Sequence, residues 1–428
     1  MYAGETSCLA GREKIRMTAE ELPVSRRYVG PVVRLAIACR IPPVAMAKVS
    51  VGFAVIAAVW LSLGSARADG VGLVAAVAVF VAVYVGQVLG AQAPAPAVDW
   101  GLTACGLLAE LFIYAGIAAG VSLKTVSAAP AGPAGQALRG TFVAGLGGVG
   151  IAGVWRLAVI AVVVAVLVPM VDVCLHRPSD AGRAPRIFGP PGDLRLPVIV
   201  AVVLLGGVRA GFLAVLVLGV AAMGAMVIES LRPGGRPVEV RGYRGDGRIS
   251  VWIGRFVGGR IPPLAPVFVG LLVTGVLVAL GLRNLPGILL LTPVEAMLLA
   301  SFGSWHPHGG RGDWLVPPLI QLAEYVFLAE AGFALRLWPP LTFALVAAAG
   351  FRHLDLAYRV RWDLSSGIDR RGLGWEGRMI VVGVAAAAGG LIVVYPALAV
   401  YLWWLNARDW FVGWSAHGLS AGHAAVDR

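Results

Sequence analysis

Acidic, basic and histidine side chains gather in short segments of the second half of the chain. Arg311 and Asp313 share one such segment, and His353 and Asp355 share another. Arg guanidinium groups beside carboxylates can bind a phosphate or a nucleotide through paired hydrogen bonds. The candidate lipid- or phosphate-binding residues are Arg311, Asp313, Glu324, Arg352, His353, Asp355, Arg359, Glu376 and Arg378. The alternative interpretation is a positive belt that contacts anionic lipid headgroups.

Two acids of the first half, Glu110 and Asp172, also lie within or at the end of apolar runs. An acid inside the hydrocarbon costs roughly 2.5 to 3.5 kcal/mol on insertion scales, so Glu110 and Glu324 are expected to face a bundle interior. They indicate either a polar cavity or a structural hydrogen bond between helices. Because His306-x-His308 has no fixed third ligand, we predict no metal ion, and we predict no other cofactor.

The composition identifies the elements that must position these residues. Hydrophobic residues make up 58% of the 428 residues and charged residues only 14%, whereas soluble domains have about 45 to 50% and about 25%. This excludes an ordinary soluble enzyme. The net charge of +12 comes mainly from arginines between apolar runs, so membrane topology explains it better than a nucleic-acid partner does. We predict an all-α, polytopic transmembrane bundle.

Apolar runs bounded by Arg, Pro and Gly predict ten to twelve spans. They lie near residues 44–64, 70–91, 102–121, 153–175, 195–207, 210–229, 263–282, 285–303, 314–335, 339–357, 378–391 and 393–406. The pairs at 195–229 and 378–406 are short, so each could be one long tilted helix or a re-entrant pair. Arginines concentrate in residues 12–40 and 232–260, which predicts cytoplasmic N- and C-termini in a bacterial-type plasma membrane.

Paired landmarks recur in the same order in both halves of the chain. Arg-Ile-Pro-Pro occupies residues 40–43 and again residues 260–263. An Asp-Trp pair precedes an Ala-Glu pair at residues 99–110 and at residues 313–324. These matches predict an internal duplication into two parallel six-helix repeats, because an even number of spans preserves the membrane orientation.

The order of these landmarks resembles the CDP-alcohol phosphatidyltransferases, six-span membrane enzymes that join a CDP-activated lipid to an alcohol. The similarity rests on the basic helix ending in Arg-x-Pro, on the stretch AELFIYAG, and on the Asp that ends the fourth span. The runs HPHGGRGDWLVPPLIQLAEY, FRHLDLAYRVR and GLGWEGR look more like a bacterial membrane domain of unknown function that is often fused to this family. Together these resemblances cover most of residues 25–408.

The resemblance implies a metal site that this sequence lacks. The family pattern is D-x-x-D-G-x-x-A-R-x8-G-x3-D-x3-D, in which the carboxylates hold divalent metal and the last Asp acts as the base. The four Asp positions hold Ala82, Val85, Thr103 and Leu107 in the first unit, and Ala296, Leu299, Pro317 and Gln321 in the second. The family fold is therefore expected to persist without the family reaction.

These observations predict two membrane units, residues 25–231 and 250–408, joined by a linker at 232–249, with tails at 1–24 and 409–428. The preferred hypothesis is a non-catalytic relative linked to phospholipid metabolism that binds a lipid or a nucleotide-lipid. Its expected partners are membrane lipids, with a CDP-activated lipid or an active membrane phosphotransferase as further candidates. Two alternatives remain open: a phosphotransferase that uses the second-unit Asp, His and Arg residues, and a lipid transporter or flippase.

Overall fold

A computed structural model of the chain describes its helices and the turns that join them. The described residues are 26–63, 65–90, 96–127, 151–175, 195–231, 245–281, 286–306, 310, 312–362 and 372–414. They are almost wholly helical, and no strand occurs among them. The predicted all-α helical bundle is confirmed. Helices suit apolar runs in a membrane because every backbone polar group is then bonded within its own segment.

Helices are numbered here in chain order. The first half contains α1 (Arg26–Ala38), α2 (Pro43–Ser62), α3 (Ala66–Gly90), α4 (Pro96–Ser127), α5 (Ile151–Leu175) and α6 (Arg195–Leu231). The second half contains α7 (Arg248–Val257), α8 (Leu264–Gly281), α9 (Leu291–Gly303), α10 (Val316–Ala334), α11 (Pro339–Arg361), α12 (Gly374–Ala387) and α13 (Leu391–Asp409). Short 3-10 turns precede α9 and α10, at Pro286–Leu290 and Asp313–Leu315. Proline begins several helices because its missing N–H has no helical partner at that position.

Six of the described helices are long and apolar enough to cross a membrane by themselves. The crossing segments are Pro43–Ser62, Arg67–Gly90, Ala97–Leu123, Ile151–Leu175, Gly207–Ile228 and Leu391–Val412. Segments Leu264–Leu280 and Ile288–Gly303 are apolar but shorter. The chain thus has the helices of a membrane protein, whereas the larger span count and the orientation of the termini stay predictions.

A glycine lies at the break or turn in each of the two predicted pairs of short spans. The pair at 195–229 forms the single helix α6, which is broken at Gly207, where the backbone has φ 85° and ψ 170°. The pair at 378–406 forms two helices joined by a turn that includes Gly389 at φ 70°. Positive φ values cost glycine little because it lacks a Cβ atom.

The helices pack in the same order in both halves. Helix α2 contacts α3 and α4, as α8 contacts α9 and α10, and the amphipathic helices α1 and α7 contact α3 and α9. The halves meet mainly where α5 packs against α11, and there a Cβ atom on Gly350 would lie 2.8 Å from Val166 Cγ2. Such a repeated order is what a duplication would produce; the duplication itself stays a prediction.

Candidate functional site

The deepest charged pair of the second half joins α10 to α12. Arg378 donates from Nε to Glu324 Oε1 at 2.5 Å and from Nη2 to Glu324 Oε2 at 2.9 Å. A third bond runs from Arg378 Nη1 to the carbonyl of Gly372 at 2.9 Å. Both side chains are buried. The fork of the guanidinium matches both carboxylate oxygens, which is the strong, bidentate form of this interaction.

His353 of α11 extends this cluster toward Tyr325. Its Nε2 lies 2.5 Å from Arg378 Nη2 and 3.3 Å from Glu324 Oε2. Because arginine can only donate, the shorter contact makes Nε2 an acceptor. The imidazole is then neutral, and its Nδ1 donates to the Tyr325 hydroxyl at 2.8 Å. Glu324, His353 and Arg378, which the sequence analysis named separately, therefore form one closed network.

A second network lies at the carboxyl end of α11. Arg359 Nε donates to Asp355 Oδ2 at 2.8 Å, one helical turn away. Arg352 Nη1 donates to Asp409 Oδ2 at 2.5 Å and lies 3.9 Å from Asp355 Oδ2. The last residue of α13 closes the network, since the Asp409 carbonyl also accepts from Arg359 Nη2 at 3.0 Å. The arginines predicted to bind a phosphate thus form ion pairs with carboxylates of the same chain.

Polar contacts also join the two halves of the chain beside this network. Arg361 Nη1 lies 3.5 Å from Asp172 Oδ2 at the end of α5. Thr103 Oγ1 of α4 and the Tyr358 hydroxyl of α11 are 2.9 Å apart and buried. Asp172, which was expected to be an intramembrane polar residue, is therefore a partner of the second half.

Glu376 lies apart from both networks and contacts α7. Its Oε1 accepts from the Ser250 amide at 2.7 Å and from the Ser250 hydroxyl at 2.6 Å, and its Oε2 accepts from the Ile249 amide at 2.8 Å. A carboxylate is stabilised at a helix amino terminus because the first amides of the helix have no partner within it. Glu376 therefore fastens the amphipathic helix α7 to α12.

The remaining candidates are scattered. Asp313 Oδ2 accepts from the Gly310 amide at 2.8 Å, so it closes its own turn. Glu110 is fully buried and accepts from the Tyr114 hydroxyl at 3.2 Å, one turn away. Arg311 lies outside the described residues.

The positions that correspond to the missing aspartates face the interior of the bundle. In the first half Ala82, Val85 and Leu107 are buried apolar residues. In the second half Ala296 and Gln321 are buried, and Leu299 is partly buried. No group of three His, Cys, Asp or Glu side chains that could hold a metal ion occurs among the residues that the structure describes.

An apolar crevice lies between α8, α9, α10 and α12. Its volume is about 240 Å³, including its open mouth. The lining consists of Val267, Gly270, Leu271, Ala296, Ala300, Ile320, Ala323 and Trp375. Because its lining is apolar, this crevice suits an apolar group better than a nucleotide. Ala296 places it beside a position where the family pattern has an aspartate.

Several polar residues of the second half were not predicted as candidates. Asp409 was assigned to the C-terminal tail, and Tyr325 has no charge to mark it. Glu295 lies inside a predicted span, and its Oε2 accepts from the Thr274 hydroxyl at 3.1 Å. An acid inside an apolar run was the signal that could have identified Glu295.

Comparison with protein families identifies one similarity. Residues 244–425 match a family of unknown function, DUF5941. This agrees with the resemblance of the second half to a membrane domain of unknown function. Neither the curated proteins nor the solved structures contain a match to this chain.

Proposed function

We propose that this chain is a non-catalytic membrane relative of the CDP-alcohol phosphatidyltransferases, linked to phospholipid metabolism, that binds a lipid. In this proposal residues 25–231 and 250–408 are two related units of a bacterial plasma-membrane protein, with both termini in the cytoplasm. One observation carries the proposal. The inward positions that would need carboxylates for metal chemistry hold buried apolar side chains such as Ala82, Val85 and Ala296.

The charged residues of the second half support the same conclusion. Arg378 is bound to Glu324, Arg352 to Asp409, and Arg359 to Asp355. A phosphate would have to displace these carboxylates and leave them buried without a partner, which is costly. The active phosphotransferase alternative requires these side chains to be available. Their mutual pairing favours a structural role for them.

The apolar crevice supports the choice of a lipid as the ligand. Its lining includes the small residues Gly270, Ala296, Ala300 and Ala323 beside Trp375, so it offers an apolar surface to a hydrocarbon chain. An apolar chain needs no hydrogen-bond partner, whereas the pyrophosphate of a nucleotide-lipid needs cations or donors. In this proposal the acyl chain occupies the crevice, and any headgroup or nucleotide stays outside it.

The test is the thermal stability of the detergent-purified chain with CDP, diacylglycerol or CDP-diacylglycerol, each with and without Mg²⁺. A ligand that binds the native state raises its apparent stability by mass action. We expect a rise with either lipid, the same rise with Mg²⁺ present, and none with CDP alone. A rise that requires Mg²⁺ would contradict the non-catalytic proposal, and no rise with either lipid would contradict lipid binding.

A pair of alanine variants locates the binding site. Ala300→Phe fills the crevice, whereas Ala279→Phe adds the same ring to an exposed position of α8. We expect Ala300→Phe to abolish the stabilisation by lipid and Ala279→Phe to preserve it. Equal responses of the two variants would show that the lipid binds elsewhere.

A further inference from the structure

Glu295 is the one acidic residue of α9, and its carboxyl group lies beside the crevice. Thr274 of α8 donates to its Oε2 at 3.1 Å. The other oxygen, Oε1, is buried and has no hydrogen-bond partner among the described residues. A Cβ atom on Gly270 would lie 3.7 Å from this oxygen, so Oε1 borders a residue that lines the crevice.

No cation of the described residues forms an ion pair with Glu295. The titratable residues of the helices packed against α9 are Glu324, Tyr325 and Glu330 of α10, Glu376 and Arg378 of α12, and Arg248 and Arg255 of α7. Glu324 and Arg378 bind each other, Glu330 pairs with Arg156, and Glu376 binds α7. Arg248 and Arg255 have exposed side chains, and α8 carries no titratable residue.

An unpaired carboxylate in such surroundings would be a bare charge among apolar groups. The hydrocarbon strongly disfavours this form, so the group is expected to bind a proton. Glu295 as a whole residue is half-buried, and its carboxyl group borders Gly270, which lines the crevice. The crevice is therefore the path open to its proton. Glu324 differs, since it is fully enclosed and held by arginine.

We propose that Glu295, with Thr274 as its hydrogen-bond donor, is a proton-binding site within the membrane that exchanges its proton through the crevice. The ligand is a hydrogen ion, carried as the neutral carboxylic acid. This inference goes beyond lipid binding and does not rest on it. It provides the kind of site that the transporter alternative would need, at a residue other than Glu110 and Glu324.

The probe is dicyclohexylcarbodiimide, an apolar reagent that reacts with protonated carboxyl groups. The carboxyl oxygen adds to the carbodiimide carbon, and the carboxylic proton moves to a carbodiimide nitrogen. The resulting O-acylisourea rearranges to a stable N-acylurea, so no oxidant or second reactant is needed. The full chain is labelled in detergent micelles at neutral pH, and peptide mass spectrometry locates the adduct.

We expect an adduct on Glu295 and none on Glu324, which serves as the internal control in the same digest. Glu295→Gln is expected to remove the adduct while leaving the thermal unfolding midpoint near that of the native chain. At alkaline pH the labelling rate is expected to fall about tenfold for each pH unit, because only the protonated acid reacts.

Three outcomes would overturn the proposal. The first is no adduct on Glu295 from mildly acidic to mildly alkaline pH. The second is equal labelling of Glu295 and Glu324, which would show that the reagent does not distinguish a free acid from a paired one. The third is protection of Glu295 by Na⁺ at constant pH, which would make a monovalent cation the ligand.

Discussion

Glu324 and Arg378, which are 54 residues apart in the sequence, form a bidentate ion pair in which neither side chain is more than 2% exposed. Glu324 lies on α10 and Arg378 on α12, so the pair holds two helices of the second half together. Its position beside His353 leaves each charged group with a partner inside the protein. The pair therefore specifies how these helices dock, because an isolated charge in this place would be costly.

Replacing Arg378 with alanine should strongly destabilise the protein. The variant leaves the Glu324 carboxylate buried without its cation, so we expect a loss of roughly 3 to 5 kcal/mol in the free energy of unfolding. Arg378→Lys should lose less, because lysine keeps the charge but not the paired hydrogen bonds. Denaturant unfolding in detergent, followed by circular dichroism, measures both losses.

The matched control for this experiment is Arg255→Ala on the exposed face of α7. A surface change of this kind should alter the free energy of unfolding by no more than about 0.5 kcal/mol. If Arg378→Ala were as harmless as the control, the structural role of the pair would be wrong. A variant of unchanged stability that lost lipid binding would instead indicate a ligand-binding role.

Asp409 should be needed for the stability of the second half. Its carboxylate is the acceptor for Arg352, whose side chain is only 1% exposed. Asp409→Ala is expected to cost about 3 kcal/mol, the lower end for a broken buried pair, because Asp409 keeps some contact with solvent. The measurement is again denaturant unfolding of the full chain.

A double variant separates the contribution of the two charges from that of side-chain packing at the Arg352–Asp409 pair. Arg352→Met combined with Asp409→Leu removes both charges and keeps the approximate volumes, so it should recover most of the stability that Asp409→Ala loses. A double variant less stable than Asp409→Ala would mean that Arg352 has another essential partner. Such a result would contradict the assignment of Asp409 as its main partner.

The helices of this fold could be predicted from the sequence because each apolar run carries its own signal. The run predicted at 44–64 forms α2 at Pro43–Ser62, and the run at 153–175 forms α5 at Ile151–Leu175. Ion pairs carry no such local signal. Arg352 and Asp409 are 57 residues apart, and only the packing of α11 against α13 brings them together.

The interpretation of the acids depended on repetition between the halves. Glu110 and Glu324 were predicted as candidates because both halves carry an acid at the corresponding place. In the structure both side chains are fully buried. Glu295 was not predicted as a candidate, and the corresponding first-half position, 214 residues earlier as for Asp99 and Asp313, holds Val81. Glu376 was predicted to belong to a phosphate site because it lies close to Arg378 in the sequence. Its partners in the structure, two backbone amides and the Ser250 hydroxyl, are not revealed by a sequence pattern.

Removing the Glu376 carboxylate should loosen α7. Glu376→Ala deletes three hydrogen bonds at the start of this helix, so we expect a loss of about 1 to 3 kcal/mol in stability. Hydrogen exchange should accelerate at the amides of Ile249 and Ser250. Ser250→Ala is the graded control, since it deletes the hydroxyl contacts with Glu376 and with the Met297 carbonyl and leaves both amide bonds. Unchanged exchange at both amides in Glu376→Ala would show that another group holds α7.

The hydrogen bond between Thr103 and Tyr358 should couple the two halves of the chain. The hydroxyl groups are 2.9 Å apart and belong to α4 and α11, so only the assembled halves can form this contact. Hydrogen bonds between membrane helices average about 0.6 kcal/mol, with a maximum of about 1.7 kcal/mol. A double-mutant cycle of Thr103→Val and Tyr358→Phe should give a coupling energy in this range.

The control cycle combines Thr103→Val with Tyr395→Phe. Tyr395 donates to the Leu328 carbonyl within the second half, so its removal should add to that of Thr103 without coupling. Both cycles are measured as differences in the free energy of unfolding in the same detergent. Additive losses in the Thr103 and Tyr358 cycle would mean that this hydrogen bond does not couple the two halves. A coupling energy confined to the first cycle would show that the bond between α4 and α11 helps to hold the two halves together.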